Sequence, residues 1–120
     1  MRSALAAPDL VSRPWARAVW YGLGLLAIVG IFDAEHRALL WTLAFGASGI
    51  LCAANVVRSR RFHCMYTGPI YLAGALATVL RGVGSISLSW AWIGSGVFFG
   101  VVGALVWERA RNDCSTTNRC

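Results

Sequence analysis

The sequence predicts an all-α fold, an integral membrane bundle of four transmembrane helices with N- and C-termini in the cytoplasm. Three observations carry that expectation. The 120 residues are 58% hydrophobic and only 13% charged, about half the ~25% charge of ordinary soluble domains. The apolar residues gather into long runs separated by short charged clusters, and lipid is the solvent that accepts such runs. The eleven basic residues, all arginine, alternate between dense and sparse clusters along the chain, as the loops of multi-pass membrane proteins do.

Residues 1–14 form a cytoplasmic N-terminal segment. Pro8, Asp9, Arg13 and Pro14 interrupt it, leaving no apolar core of the ~7–15 residues that a cleavable signal needs. The first helix is therefore expected to act as an uncleaved signal. It spans Trp15 to Phe32, with Pro14 suited to a helix start and Arg17 able to snorkel to the headgroups. The second, Ala38 to Val57, is twenty residues without a charge. The third is the shortest. Pro69 to Leu80 offers twelve residues, ~18 Å of helix against a hydrocarbon core of ~30 Å. Extending it over 64–81 accepts Pro69 as a kink and Arg81 as an interfacial charge; three spans with a re-entrant segment is the alternative. The fourth, Ser87 to Trp107, is again uncharged. The four spans make a domain over 15–107, and residues 108–120 form a polar cytoplasmic tail.

The loops orient the bundle. With four spans, nine arginines (Arg2, Arg13, Arg17, Arg58, Arg60, Arg61, Arg109, Arg111 and Arg119) fall on one side, and Arg37 and Arg81 on the other. The positive-inside rule puts the nine in the cytoplasm; the expected location, a bacterial inner membrane, is what the resemblance given below implies. Aromatics fit the same depths: Trp15, Phe62, Tyr66 and Trp107 at one interface, Phe32, Trp41, Trp90 and Trp92 near the other. The basic charge follows loop positions and lines no single face, so nucleic acid is not an expected partner; the lipid bilayer is. Small residues recur every fourth position at Gly49/Ala53, Ala73/Ala77 and Gly96/Gly100/Ala104. Such faces let helix backbones approach closely, within the bundle or in a homo-oligomer or larger membrane complex.

One stretch carries chemistry. Cys52 and Asn55 share a face at the end of the second helix, and His63 and Cys64 open the third segment. An antiparallel hairpin brings these four residues towards one level. Thr67, Gly68 and Pro69 follow, and Pro69 leaves the Met65 carbonyl without its helical donor. Irregular backbone at membrane depth needs protein or a polar cavity to cover it, so Asn55, Thr67, Gly68 and Pro69 are expected to line a small pocket. Thiolate and imidazole suit soft or borderline ions, here Hg, Cu or Zn, with Cys52, His63 and Cys64 as ligands. Arg58, Arg60 and Arg61 would favour the thiolate, and Cys114 and Cys120 on the tail would relay an ion. Free cysteine also packs as a small hydrophobe, so a purely structural hairpin stands beside the metal reading.

The chain has no Gly-x-Ser-x-Gly, phosphate-loop or His-Glu-x-x-His motif, and it is not expected to be an enzyme. The functional expectation is binding or transport of a soft thiophilic ion at the cytoplasmic membrane face. The alternatives are a non-catalytic accessory or scaffold subunit and a membrane thiol-redox protein.

The run Arg61-Phe62-His63-Cys64-Met65-Tyr66-Thr67-Gly68-Pro69 resembles a signature, Arg-x-His-Cys-x-x-Thr-Gly-Pro, of small bacterial four-helix membrane proteins of unassigned function. A looser similarity is to the small mercuric-ion transport membrane proteins. Those carry paired cysteines in the first helix, whereas Trp15 to Phe32 contains none.

Overall fold

The computed structural model describes residues 13–59 and 62–117. Four helices follow one another: α1 (Pro14–Phe32), α2 (Arg37–Ser59), α3 (Phe62–Gly82) and α4 (Trp90–Thr117). Short connections make them an up-and-down bundle. α1 packs on α2, α2 packs most extensively on α3, and α3 packs on α4. Three of the four, α1, α2 and α4, are long and apolar enough to span a membrane. Large apolar side chains such as Tyr21, Leu25, Leu76 and Phe99 stand exposed around the bundle, a surface that water does not tolerate over such an area and that lipid does.

The helix ends follow their caps. Pro14 begins α1 at the position where its missing N–H costs nothing. Asp33 ends it, donating its backbone N–H to the Val29 carbonyl at 2.9 Å. The same aspartate then organises the turn into α2. Its Oδ1 accepts from the backbone N–H groups of Glu35 and His36, each at 3.1 Å, and its Oδ2 meets His36 Nδ1 at 3.0 Å. Arg37 closes the turn from the other side, donating Nε to the Gly30 carbonyl at 2.8 Å and Nη2 to the Ile31 carbonyl at 2.7 Å. Those carbonyls lie in the last turn of α1, which has no intrahelical donors left for them.

This turn has a pH dependence. The His36 backbone N–H, then the His36 side chain, hold the Asp33 carboxyl below its ordinary value of 3.8. A folded-state pKa below the unfolded one gives stabilisation that is complete above 3.8 and is lost as pH falls through the folded value. A carboxyl NMR titration should place the Asp33 midpoint below 3.8, with the Glu35 and His36 amides losing protection as Asp33 protonates. An Asp33 midpoint at or above 3.8 would contradict the geometry.

α3 contains the expected 64–81 and extends slightly beyond it at both ends. It runs unbroken for 21 residues through Pro69, about 31 Å at 1.5 Å per residue. Pro69 is exposed, on the far side of α3 from the buried Cys64 and Thr67. The helix is long enough to span but is not among those apolar enough to do so by composition, and its short polar side chains Thr67 and Thr78 are turned onto α2. Thr78, fully buried, meets Thr42 Oγ1 at 2.8 Å. Each hydroxyl also lies within 2.6–2.7 Å of a carbonyl of its own helix. Two hydroxyl protons thus serve three short contacts, so one threonine back-bonds while the other crosses between helices.

The α3 C-terminus is a Schellman motif. Ser85 N–H reaches the Leu80 carbonyl at 2.8 Å and Gly84 N–H the Arg81 carbonyl at 3.1 Å. Gly84 has φ +77°, the left-handed geometry this motif demands and glycine accepts. Ser89 then caps α4, its Oγ 3.4 Å from the Trp92 N–H. α4 therefore starts at Trp90, later than the sequence pattern suggested. It also runs on to Thr117, because Glu108, Arg109, Ala110 and Arg111 are good helix formers. The segment expected as a polar tail is thus helical over most of its length.

Aromatic packing ties the Arg37 end together. Trp41 donates Nε1 to the Ala27 carbonyl of α1 at 3.0 Å and stacks edge-on against Trp90 of α4. Gly30 admits that indole: a Cβ there would sit 2.5 Å from Trp41 Cδ1. Arg81 lies over the Trp90 ring at 5.8 Å, a cation–π contact. The core centres on Trp41, Ala44 and Phe45 of α2 with Ile93 and Val97 of α4.

Candidate thiol site between α2 and α3

The close approach of α2 and α3 is made by glycine. A Cβ on Gly49 would lie 2.7 Å from Leu72 Cγ and 3.2 Å from the Leu72 backbone nitrogen. One turn further along α2, Gly68 of α3 sits against Cys52, where a Cβ would meet the Cys52 Cβ at 3.5 Å. Without a side chain at 49, the helices come near enough for short polar side chains to meet across the interface.

Those side chains are Cys52, Asn55, Cys64 and Thr67. Cys52, Asn55 and Cys64 are each 2% exposed and Thr67 3%, so the cluster is closed to both water and lipid. Asn55 donates Nδ2–H to Cys64 Sγ at 3.4 Å, and the Thr67 hydroxyl lies 3.5 Å from Cys52 Sγ. The two thiols thus lie in one buried cluster, and neither is in a disulfide. Each sulfur therefore has a neighbouring protein donor able to stabilise negative charge on it.

The tertiary structure thus brings together two of the three expected ligands. The third, His63, has its side chain outside the described residues, as do Arg60 and Arg61 in full. Arg58, in the last turn of α2, is exposed. Cys114 lies on the α4 backbone with its side chain outside the described residues, and Cys120 is outside them altogether. Among the described residues no group of three or more His, Cys, Asp and Glu side chains is placed to hold a metal. Of the expected pocket, Asn55, Thr67 and Gly68 belong to the cluster and Pro69 does not. They form a packed contact, since the unbroken helix leaves less irregular backbone to cover than the sequence implied.

Small-residue faces divide in the same way. Gly49 and Gly100 are used inside the bundle, Gly100 against Ile70 of α3, while Gly96 faces open space. The roles of Asn55 and Thr67 as partners of the cysteines were not assigned from sequence, which placed both only in the pocket. For Thr67, the spacing of three from Cys64, one helical face, was the available signal.

No family model, curated protein or solved structure matches this chain, so the chemistry of the site is argued from its own geometry.

Proposed function

We propose that this small multi-pass membrane protein captures a soft, two-coordinate metal ion between Cys52 and Cys64. The observation that supports it is the juxtaposition of two buried free thiols, with Asn55 and Thr67 beside their sulfurs. Charge decides among the ions. Two thiolates neutralise a divalent cation, so the buried complex carries no net charge. A monovalent ion such as Cu(I) would leave one negative charge in an apolar interior, which is costly. Zn(II) is divalent but takes four ligands in closed structural sites. A digonal divalent ion of the Hg(II) class fits both constraints.

In the same proposal the chain crosses the membrane four times with both ends in the cytoplasm of a bacterial inner membrane. Among the described residues, Arg13, Arg17, Arg58, Arg109 and Arg111 lie at one end of the bundle, and Arg37 and Arg81 at the other. The thiol cluster sits towards the richer end. α3, the least apolar helix, is carried across by its polar seam with α2. Impermeant maleimide should label Glu35→Cys from the periplasm of intact cells in a background with the four native cysteines replaced, and Arg109→Cys only after permeabilisation. The reverse pattern would invert the orientation.

The site itself is tested by titrating the purified chain in detergent with Hg(II), following thiolate-to-metal absorbance, proton release and native mass. One ion per chain and two protons per ion are the expected values, because both thiols must ionise. Uptake that persists unchanged without Cys52 and Cys64 would refute the proposal and leave the hairpin structural.

A further inference from the structure

A groove of about 690 Å³ opens between α1 and α4, away from the thiol cluster, within the ~300–1,000 Å³ of ordinary ligand sites. Its α1 wall runs from Trp20 to Ile31, its α2 floor from Arg37 to Ser48, and its α4 wall from Ala91 to Val102. Each stretch covers about 16 Å at 1.5 Å per residue. That is the depth of one leaflet, half of the ~30 Å hydrocarbon core. The walls are almost wholly apolar, and Tyr71 of α3 closes the deep end, its ring beside those of Trp20 and Phe45.

The one charged residue lining the groove is Arg37, at the end where the α1–α2 turn leaves the apolar spans. A guanidinium has five N–H donors. Two of Arg37's serve the Gly30 and Ile31 carbonyls, which fixes the side chain and leaves three donors for an oxyanion. Planar, pre-oriented guanidinium is the side chain best matched to phosphate. The same turn presents Asp33 and Glu35, so negative charge lies next to the cation. A groove one leaflet deep, apolar along its length, with a fixed cation and then carboxylates at its mouth, is complementary to a lipid with an acyl chain, a phosphate and an ammonium group in that order.

We infer that this groove holds one acyl chain of a zwitterionic glycerophospholipid, its phosphate on Arg37 and its ammonium towards Asp33 and Glu35. The inference rests on the chain spanning the membrane and is independent of the metal site. The test uses the full chain purified from mixed micelles containing equal phosphatidylethanolamine and phosphatidylglycerol of identical acyl chains, read by native mass spectrometry. One phosphatidylethanolamine per chain is expected on the parent. Arg37→Gln, which removes the charge while keeping a donor for the α1 carbonyls, should weaken retention at least about tenfold. Gly24 lines the groove and a Cβ there meets nothing within 4 Å, so Gly24→Phe should plug the groove and abolish retention with helicity unchanged. Ser95→Phe enters from the α4 wall and provides an independent plug should the first variant fold poorly. Retention by both plugged variants, equal or preferred retention of phosphatidylglycerol, a lipid-free parent, or a dimer that the plugs dissociate would each overturn the inference.

Discussion

Chains carrying Cys52→Ser or Cys64→Ser should each lose Hg(II) binding that the parent shows at one ion per chain. A two-coordinate site has no spare ligand, and a serine hydroxyl neither ionises near neutral pH nor offers a soft donor. The loss should exceed the ~10–100-fold typical of removing an outer-shell partner. Asn55→Leu supplies that comparison: similar volume, no N–H to Cys64 Sγ, and an expected drop within ~10–100-fold. Serine can still accept from Asn55 or Thr67, so both cysteine variants should keep parent helicity and thermal stability. Such a split, binding lost and fold retained, separates a ligand from a packing residue. If either serine variant binds like the parent, the juxtaposed thiols serve packing alone.

Gly49→Leu should be the most damaging single substitution at the α2–α3 interface. Even the first carbon of the new side chain would sit 2.7 Å from Leu72 Cγ and 3.2 Å from a backbone nitrogen. The leucine side chain can move aside, but the backbone contact yields only if the helices separate. Overpacking of this kind costs about 1–3 kcal/mol, and thermal unfolding in detergent followed by circular dichroism would report it. The damage should reach the thiols as well, because helices held apart at Gly49 separate Cys52 from Cys64 one turn away. Hg(II) affinity should therefore fall with stability. Gly68→Ala is the control: its Cβ would make an ordinary 3.5 Å contact with Cys52, and near-parent stability and binding are expected. A Gly49→Leu chain as stable as the parent would mean that the close helix approach is not needed.

The spans were legible because their signals are local. Apolar runs, Pro14 and the arginine clusters depend on nothing far away in the chain. The α4 boundary shifted because Ser89 supplies a cap that hydropathy does not register, and the helix continued past Trp107 because residue propensity outlasts hydrophobicity there. α3 covers the expected 64–81 and adds two residues before it and one after, with Pro69 inside the helix. The carbonyl that Pro69 leaves without its helical donor belongs to Met65, in the first turn of α3 and away from the middle of the span.

The sequence by itself determined the all-α class, three of its four expected spans as helices long and apolar enough to cross a membrane, the clustering of arginine at alternate ends, and which hairpin carries the cysteines. Only the tertiary structure decided that Cys52 and Cys64 share one buried cluster with Asn55 and Thr67 as their partners, that Pro69 faces away, and that α1 and α4 leave a groove ending on Arg37. The division has a physical cause. Burial in lipid and charge at its surface are properties of single segments, whereas a shared cluster of thiols or a gap between helices depends on the rotation and spacing of two helices. At the thiol site that spacing is set by what Gly49 lacks.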